Sequence, residues 1–575
     1  MENFKLIFIV FLFFYTSAYS QFRYNLSEAE ITSAQSIVPF ELEEINSIIK
    51  SRREKLEEVF GKIRVDKPRF VIYGSTDEFT REHNTVWQVG GIYFRGVIHI
   101  QPVSSLRIRG NFETIIANEY THHFLSARFK DMPFFMKEGM SAYFAGLPLR
   151  KDYPLSVETM EARKEEVFTN YSFLEKFVSG ARYFVAFILE NFGTDGLIEI
   201  LEGDKKQLED LYREYYFLNS AKAKVLLPPV AERRFTVSSE GIVDTVITLS
   251  DGRIIEKKLS AESIHIETVS GGIFVNDTAA IRAHFKFRDS FSIQGRAYRG
   301  KLEIIWTPRE IRIVNILPVE YYLYGTVASE MPSENPVALE LQSILSRSLA
   351  YYRIHSREDS DYNLSAFTID QSYRGMEWET RQAREAVIFT EGLVMKFAES
   401  VVLPYYSSTC AGHTAYSEDV WNEAKPYLKS IDCRNDEGDI LCAKSPHFGE
   451  WENSITQTRL SEILGEKVFN MEIAQTNHYG RVKSLKINGR IFGFDAFKSR
   501  VGREEGWFFL KSNLFELKRD GDTYIFKGRG LGHGVGLCQY GAMELAETST
   551  VEEIANFYFD NVDIRFIQRN YSIWK

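Results

Sequence analysis

Apolar residues after Pro39 recur at helical spacing (Ile45, Ile48, Ile49, Leu56, Val59, Phe60), which predicts an amphipathic helix through FELEEINSIIKSRREKLEEVFG. A β-type run, RFVIYG, follows, and GGIYFRGVIHIQP reads as a further strand or hairpin. Over 112–124 (FETIIANEYTHHF) the pattern is helical again, with Ile115, Ile116 and Tyr120 able to share an inner face. Past Leu189 the segment ENFGTDGLIEILEGDKKQLEDLYREYY predicts two short helices. Leu226-Leu227-Pro228-Pro229 then marks a boundary, because consecutive prolines stop a helix and stiffen a linker. From Arg234 to Leu317 the texture is alternating strands (TVSSEGIVDTVITL, SIHIETV, RAHFKF, KLEIIW, IRIVNIL), with turns at Asp251-Gly252 and Gly271-Gly272. A helix is expected from Pro336 to about Arg353, with Asn335 as its N-cap and Pro336 at its first position. The chain therefore reads as a multidomain α+β protein: an α+β domain over 21–227, then a second over 228–575 whose β-rich lead-in runs to about 315.

At 575 residues the chain exceeds one ordinary core. A composition of 44% hydrophobic and 26% charged residues is that of a globular protein. A net charge of -10 argues against nucleic acid as a partner, since neutralising phosphates needs a basic face. The first twenty residues change the picture further. Lys5, the apolar run Leu6 to Tyr15 and the small residues Ala18 and Ser20 predict a signal peptide over 1–20 cut before Gln21, hence an exported protein. The alternative, an uncleaved anchor, is opposed by the run's length, because a span needs roughly 20 apolar residues.

Chemistry concentrates in the second domain. Residues 528–543 read GRGLGHGVGLCQYGAM, five glycines around His533 before Gln539-Tyr540-Gly541-Ala542. Such glycine density suits a backbone with positive φ or close approach to a neighbour, so a strand turns sharply here into a helix near Ala542. By itself the string is compatible with a tight turn and a merely packed His533. Upstream, Leu317-Pro318-Val319-Glu320-Tyr321-Tyr322-Leu323-Tyr324-Gly325 leads to Val327-Ala328-Ser329-Glu330-Met331-Pro332. Glu330 thus falls in an apolar loop ahead of a helix, where a lone acid is otherwise a solvated first-turn residue favoured by the helix dipole. Asp370-Gln371-Ser372-Tyr373-Arg374-Gly375 and Ser407-Ser408-Thr409-Cys410-Ala411-Gly412-His413-Thr414 come between.

In this order the segments resemble the SpoIID/LytB family over roughly 230–570. The string resembles its GHGVGMSQYGA signature, and the Glu330 segment its LxxYLxGVVxxEMP block. Gln342 and Arg347 fall on the following helix's Gln and Arg; Glu340 replaces a Lys, Ser407 a His and Ala411 a Gly. The resemblance implies a cell-wall protein acting on peptidoglycan glycan strands as a lytic transglycosylase, with no cofactor needed for the chemistry. It implies one acid/base, Glu330, which must stay protonated in a desolvated site, and candidate sugar contacts at Gln342, Arg347, Gln371, Tyr373, His533, Gln539 and Tyr540. It implies equally an alternative without catalysis: a peptidoglycan-binding enhancer of a partner amidase.

In the first domain Asn118-Glu119-Tyr120-Thr121-His122 has the HExxH frame with Asn in place of the first His, and Met132 to Gly139 resembles the PxWxxEG segment that brings a third ligand through Glu138. The span from about Arg69 to Tyr216 resembles the gluzincin (peptidase MA-like) family. Asn118 removes a strong zinc ligand, so the resemblance implies an inactive peptidase domain; weak metal binding through Asn118, His122 and Glu138, or a structural role, are the other readings. A zinc metallopeptidase is disfavoured for the same reason.

Cys410, Cys433 and Cys442 lie close together in sequence, with His413 near the first. Export favours a disulfide, Cys433–Cys442 or Cys410–Cys433; a structural zinc on Cys410, His413, Cys433 and Cys442 fits as well. Both stay open. Cys538 reads as a small packed residue.

Overall fold

The computed structural model describes residues 21–147, 152–421, 423–569 and 572–573, so the expected signal peptide lies outside the described residues. None of the described helices is long and apolar enough to cross a membrane. The chain is a multidomain mixture of helices and several sheets, as its patterning predicts, and it divides into two compact units, one ending at Tyr216 and the next beginning at Phe217. This division precedes the expected one at 227. The reason is local: Lys222–Leu226 is a strand of the second unit, pairing antiparallel with Ile311–Pro318, so Pro228 and Pro229 end a strand instead of joining domains.

In the first unit a five-stranded sheet runs in the order Phe22–Asn25, Glu30–Ser33, Arg69–Ile72, Val97–Ile100, Gly91–Phe94, the last being an edge strand. Helix Pro39–Phe60 forms where the periodicity places it and buries Ile45, Ile49, Leu56 and Phe60. The segment after Leu189 holds the two expected short helices: the helical run Tyr171–Glu202 breaks at the non-helical Gly193 (φ 69°), its second part runs on to Glu202, and Lys205–Asn219 follows. Rings hold this region: Phe184 lies 4.7 Å from Tyr212 and 5.3 Å from Tyr215. Helix Phe134–Ala145 packs directly on Tyr171–Glu202 because Gly139 has no side chain; a Cβ there would sit 2.6 Å from the Ala181 carbonyl oxygen.

The second unit opens with the expected β-rich lead-in, built into a six-stranded and a seven-stranded sheet. Helix Pro336–Ser356 starts as predicted, with Asn335 Oδ1 accepting from the Ala338 N–H at 3.2 Å and Pro336 at its start. Its positions from Ala338 to Tyr351 are buried except Glu340, so it is a central rather than an amphipathic helix. Between Cys442 and the glycine string the chain inserts a small α+β module that the hydrophobic pattern had not suggested. It has two three-stranded sheets, helices Gln457–Leu464 and Phe494–Glu505, and its own core around Trp451, Leu460, Leu485, Phe497 and Phe526.

Candidate functional site

Glu330 ends a one-turn helix, Val327–Glu330, instead of lying in an open loop. The turn is fixed from below by Thr326 Oγ1, which donates to the Tyr322 carbonyl at 2.9 Å, and from the side by Ser329 Oγ, which donates to the Ser372 carbonyl at 2.6 Å. The Ser372 N–H in turn donates to Glu330 Oε1. Burial raises the Glu330 carboxyl to about 7, with the Ser372 N–H and the Arg374 cation pulling the other way. The residue as a whole is half-buried, so the carboxyl combines desolvation with access. Arg374 itself lies 4.2 Å over the exposed Trp378 ring.

Beneath the acid lies a layer of glutamines. Gln539 Nε2 donates to the Glu330 carbonyl at 2.8 Å and to Gln342 Oε1 at 3.3 Å. Gln342 Nε2 donates to Ser346 Oγ at 2.9 Å, and Gln371 Nε2 to the Ser346 carbonyl at 3.1 Å. Tyr406 Oη donates to Gln371 Oε1 at 3.0 Å. The end of the glycine string is thereby tied to the Glu330 backbone. Gln342 and Gln371 have no exposed surface and Gln539 is buried, so in this structure all three lie beneath the acid, within the layer that supports it. Tyr373 is likewise buried, its Oη donating to Asn315 Oδ1 at 2.8 Å and so fastening the 370–375 loop to the β lead-in. Arg347 is fully buried and forks onto Glu320 (2.7 and 2.8 Å), with further donation to the Thr390 hydroxyl and the Val387 and Leu393 carbonyls; it is an internal strut. Tyr540 is half-buried, its N–H donating to the Ser408 carbonyl at 3.1 Å.

The glycine density has the expected cause. Gly530, Gly532, Gly534 and Gly536 all have positive φ, and a Cβ at Gly536 would collide with the Tyr405 carbonyl. His533 is set against Trp421 (4.9 Å between ring centroids) and Tyr405 (6.0 Å), and its Nδ1 accepts from the Val535 N–H at 3.0 Å. Burial, with Lys498 and Arg481 nearby, lowers it to about 3, so it is a neutral imidazole at any ordinary pH. It orders the loop through rings and backbone, whereas Glu330 is tied to Ser372 and Gln539.

The four cysteines converge. Cys410, Cys433, Cys442 and Cys538 are free and fully buried, with sulfurs all within 4.8 Å of one another. Cys538, packed as expected, completes the cluster, and His413 stands outside it: its Nδ1 lies 2.7 Å from the Thr414 carbonyl while its ring stacks 3.4 Å from Tyr479. Zinc bound by four sulfurs at about 2.3 Å spaces them about 3.8 Å apart, and Cys410 Sγ lies 3.8 Å from Cys442 Sγ. The donor set therefore fits a structural zinc. Arg481, from the inserted module, is buried beside it and donates to the Cys410 (2.6 Å) and His413 (3.1 Å) carbonyls.

In the first unit Asn118, Glu119, His122 and Glu138 line one cavity of about 710 Å³. His122 Nε2 lies 3.7 Å from Glu138 Oε2, and Asn118 Nδ2 donates to Glu119 Oε1 at 3.1 Å. Burial raises Glu119 to about 7 and Glu138 to about 8, the latter also through Glu119, and lowers His122 to about 4.

Sequence reasoning missed Ser372 as the carboxyl's donor, Tyr405 and Trp421 as the His533 cage, and Arg481. Ser372 sat inside a motif already singled out, but nothing in that motif says that its N–H, not its side chain, meets the acid.

Residues 307–397 match the SpoIID family, described as "Stage II sporulation protein". The chain is 26% identical over 361 residues to an uncharacterized protein of Brachyspira hyodysenteriae, covering 61% of this chain and 94% of that one. It is 29% identical over 272 residues to the stage II sporulation protein D of Bacillus subtilis, covering 44% and 75%. Similarity to the amidase enhancer of Bacillus subtilis is 25% over 359 residues and spans 54% of this chain and 50% of that protein.

Proposed function

We propose, from the SpoIID family domain at 307–397 and the acid site it contains, that this is an exported cell-wall protein whose C-terminal unit is a peptidoglycan lytic transglycosylase. The observation that carries the reading is the Glu330 carboxyl, half-buried and raised to about 7. Ordinary glycosidases need two carboxyl groups. A transglycosylase needs one, because the nucleophile is the sugar's own C6 hydroxyl. Protonated Glu330 gives its proton to the glycosidic oxygen as the C1–O bond breaks. The C6 oxygen then bonds to C1, and the Glu330 carboxylate takes the C6 hydroxyl proton, which restores the acid and leaves a 1,6-anhydro end. The Ser372 N–H holds one carboxyl oxygen and so aims the other.

The pH dependence follows from the direction of the shift. Glu330 is active when protonated, so kcat/KM on glycan should be level at acidic pH and fall as pH rises through about 7. A rate still rising at pH 8 would contradict the role.

The likeness to an amidase enhancer favours a second reading, stimulation of a wall amidase without glycan cleavage. Purified protein with glycan strands separates the two: anhydro ends released by the protein alone support the enzyme, and release of stem peptide only when an amidase is added supports the enhancer.

For Cys410, Cys433, Cys442 and Cys538 we propose a structural zinc that clasps the 410–414 segment, the 433–442 loop and the end of the glycine string. The protein should purify with about one zinc per chain and lose thermal stability on chelation. Cys538→Ser should lose the metal while His413→Ala keeps it. A metal-free protein with fewer than four thiols on denaturation would indicate a disulfide instead. For the N-terminal unit we retain the reading of an inactive peptidase domain, since Asn118 stands where a nitrogen ligand is needed.

A further inference from the structure

The loop that holds the Glu330 carboxyl also presents two side chains that the transglycosylase chemistry does not use, Arg374 and Trp378. Its backbone is fixed along its length. Ser329 Oγ donates to the Ser372 carbonyl at 2.6 Å, and Tyr373 Oη donates to Asn315 Oδ1 at 2.8 Å. Gly375 turns with a φ of 75° close against strand Arg296–Arg299, where a Cβ would sit 2.5 Å from the Ala297 carbonyl oxygen. Arg299 forks onto Glu379 at 2.7 and 2.8 Å and closes the far end. On this fixed frame Arg374 and Trp378 are exposed, and they meet: the guanidinium carbon lies 4.2 Å from the centre of the indole ring.

The Arg374 Nε lies 3.4 Å from Ser372 Oγ, a long hydrogen bond, and among the described residues its Nη groups meet no acceptor and are not buried. Nor does any carboxylate among the described residues form an ion pair with it; the loop's own acid, Glu377, acts on Tyr298. A guanidinium resting on an indole face keeps its edge free, and that edge offers two parallel N–H donors that match a planar carboxylate. Its position works against the acid it neighbours. The cation pulls the Glu330 carboxyl down, whereas the leaving oxygen needs that carboxyl protonated. An anion arriving with the substrate removes this opposition when the proton is needed, and a neutral sugar leaves it in place. We propose that Arg374, seated on Trp378, binds a carboxylate of the glycan strand next to the bond that Glu330 protonates, which makes it a specificity-determining residue of this site. The inference rests on the glycan reading above. Peptidoglycan offers that carboxylate from two sources: the lactyl ether of a muramyl sugar that has lost its stem peptide, or the stem peptide itself.

Calorimetric titration of the full-length Glu330→Gln protein, whose turnover is too slow to consume the ligand, tests it. The probes are three forms of one tetrasaccharide of alternating N-acetylglucosamine and N-acetylmuramic acid: stem-free, stem-free with its lactyl groups as methyl esters, and stem-bearing. At least one carboxylate-bearing form should bind at least about tenfold more tightly than the ester, the smallest gain expected for a charge-assisted pair. Adding Arg374→Gln should remove that advantage, and Arg374→Lys should restore part of it. An advantage of the stem-free form alone assigns the carboxylate to the lactyl group, one of the stem-bearing form alone assigns it to the peptide, and one of both shows that the guanidinium accepts either. Carboxylate-bearing forms that bind no more tightly than the ester, or by a margin that Arg374→Gln leaves intact, would overturn the proposal and leave the glycan reading standing. If none of the three binds at millimolar concentration, the glycan reading fails and the proposal with it. Arg374 is exposed, so its variants should fold, as judged by circular dichroism; should they not, the comparison of acid with ester on the Glu330→Gln protein decides alone.

Discussion

Glu330→Gln leaves a folded protein whose release of anhydro-ended glycan falls at least about a hundredfold, the lower range of what a positioned general acid contributes. The amide keeps an oxygen for the Ser372 N–H and fills the same niche, so the geometry that holds the 327–330 turn persists. What it lacks is the proton for the leaving oxygen. Stability should move the other way. A carboxyl raised above its unfolded value binds its proton more tightly in the folded state, so it costs the fold stability as pH rises from about 4.5 to about 7. Glu330→Gln escapes that cost, and at pH 8 its melting temperature should equal or exceed that of wild type. A variant that keeps wild-type turnover, measured by counting anhydro ends, removes Glu330 from the mechanism.

The second large effect lies away from the acid. Arg347→Ala, or Glu320→Ala, should destabilise the C-terminal unit by about 3–5 kcal/mol, because each leaves the other charge buried and unpaired. Replacing both together, Arg347→Met with Glu320→Leu, should recover most of the loss, and a double-mutant cycle by denaturant unfolding measures it. The resemblance alone suggested Arg347 as a sugar contact. That role predicts a raised KM with intact stability, and the internal-strut role predicts the reverse, so the same variants separate them.

How much of this was legible in the sequence depends on what kind of constraint a residue answers to. The glycine string was legible because positive φ at four alternate positions leaves few residue types usable. Asn335 and Pro336 announced their helix through capping that is local in the chain. The desolvation of Glu330 was legible from its apolar neighbours, but its donor was not, since any residue but proline supplies an N–H. Gln342, Gln371 and Arg347 matched family positions, and a match carries no information about burial; only the packed helix 336–356 and the 370–375 loop folded onto it show that these side chains are buried. The cysteines illustrate a spacing argument failing for a physical reason. Cys538 is remote in sequence, and His413, though adjacent, is taken by the Thr414 carbonyl and Tyr479. The inserted module between Cys442 and Gly528 has ordinary strands and helices, and its separateness appears only in its own core. In the first unit Asn118, Glu119, His122 and Glu138 of the HExxH-like frame line one cavity, and Arg182, on a different helix, lines it without any motif to mark it.

The central claim, intramolecular attack by the C6 hydroxyl with Glu330 as the only acid, is tested most directly by digesting peptide-free glycan strands in water enriched in oxygen-18 and weighing the new ends. Transglycosylation predicts ends one water lighter than hydrolysed ones, with no heavy oxygen incorporated, and at least about a hundredfold fewer of them from Glu330→Gln. Reducing ends carrying oxygen-18 would show that water is the nucleophile, and the single-carboxyl mechanism would then be wrong.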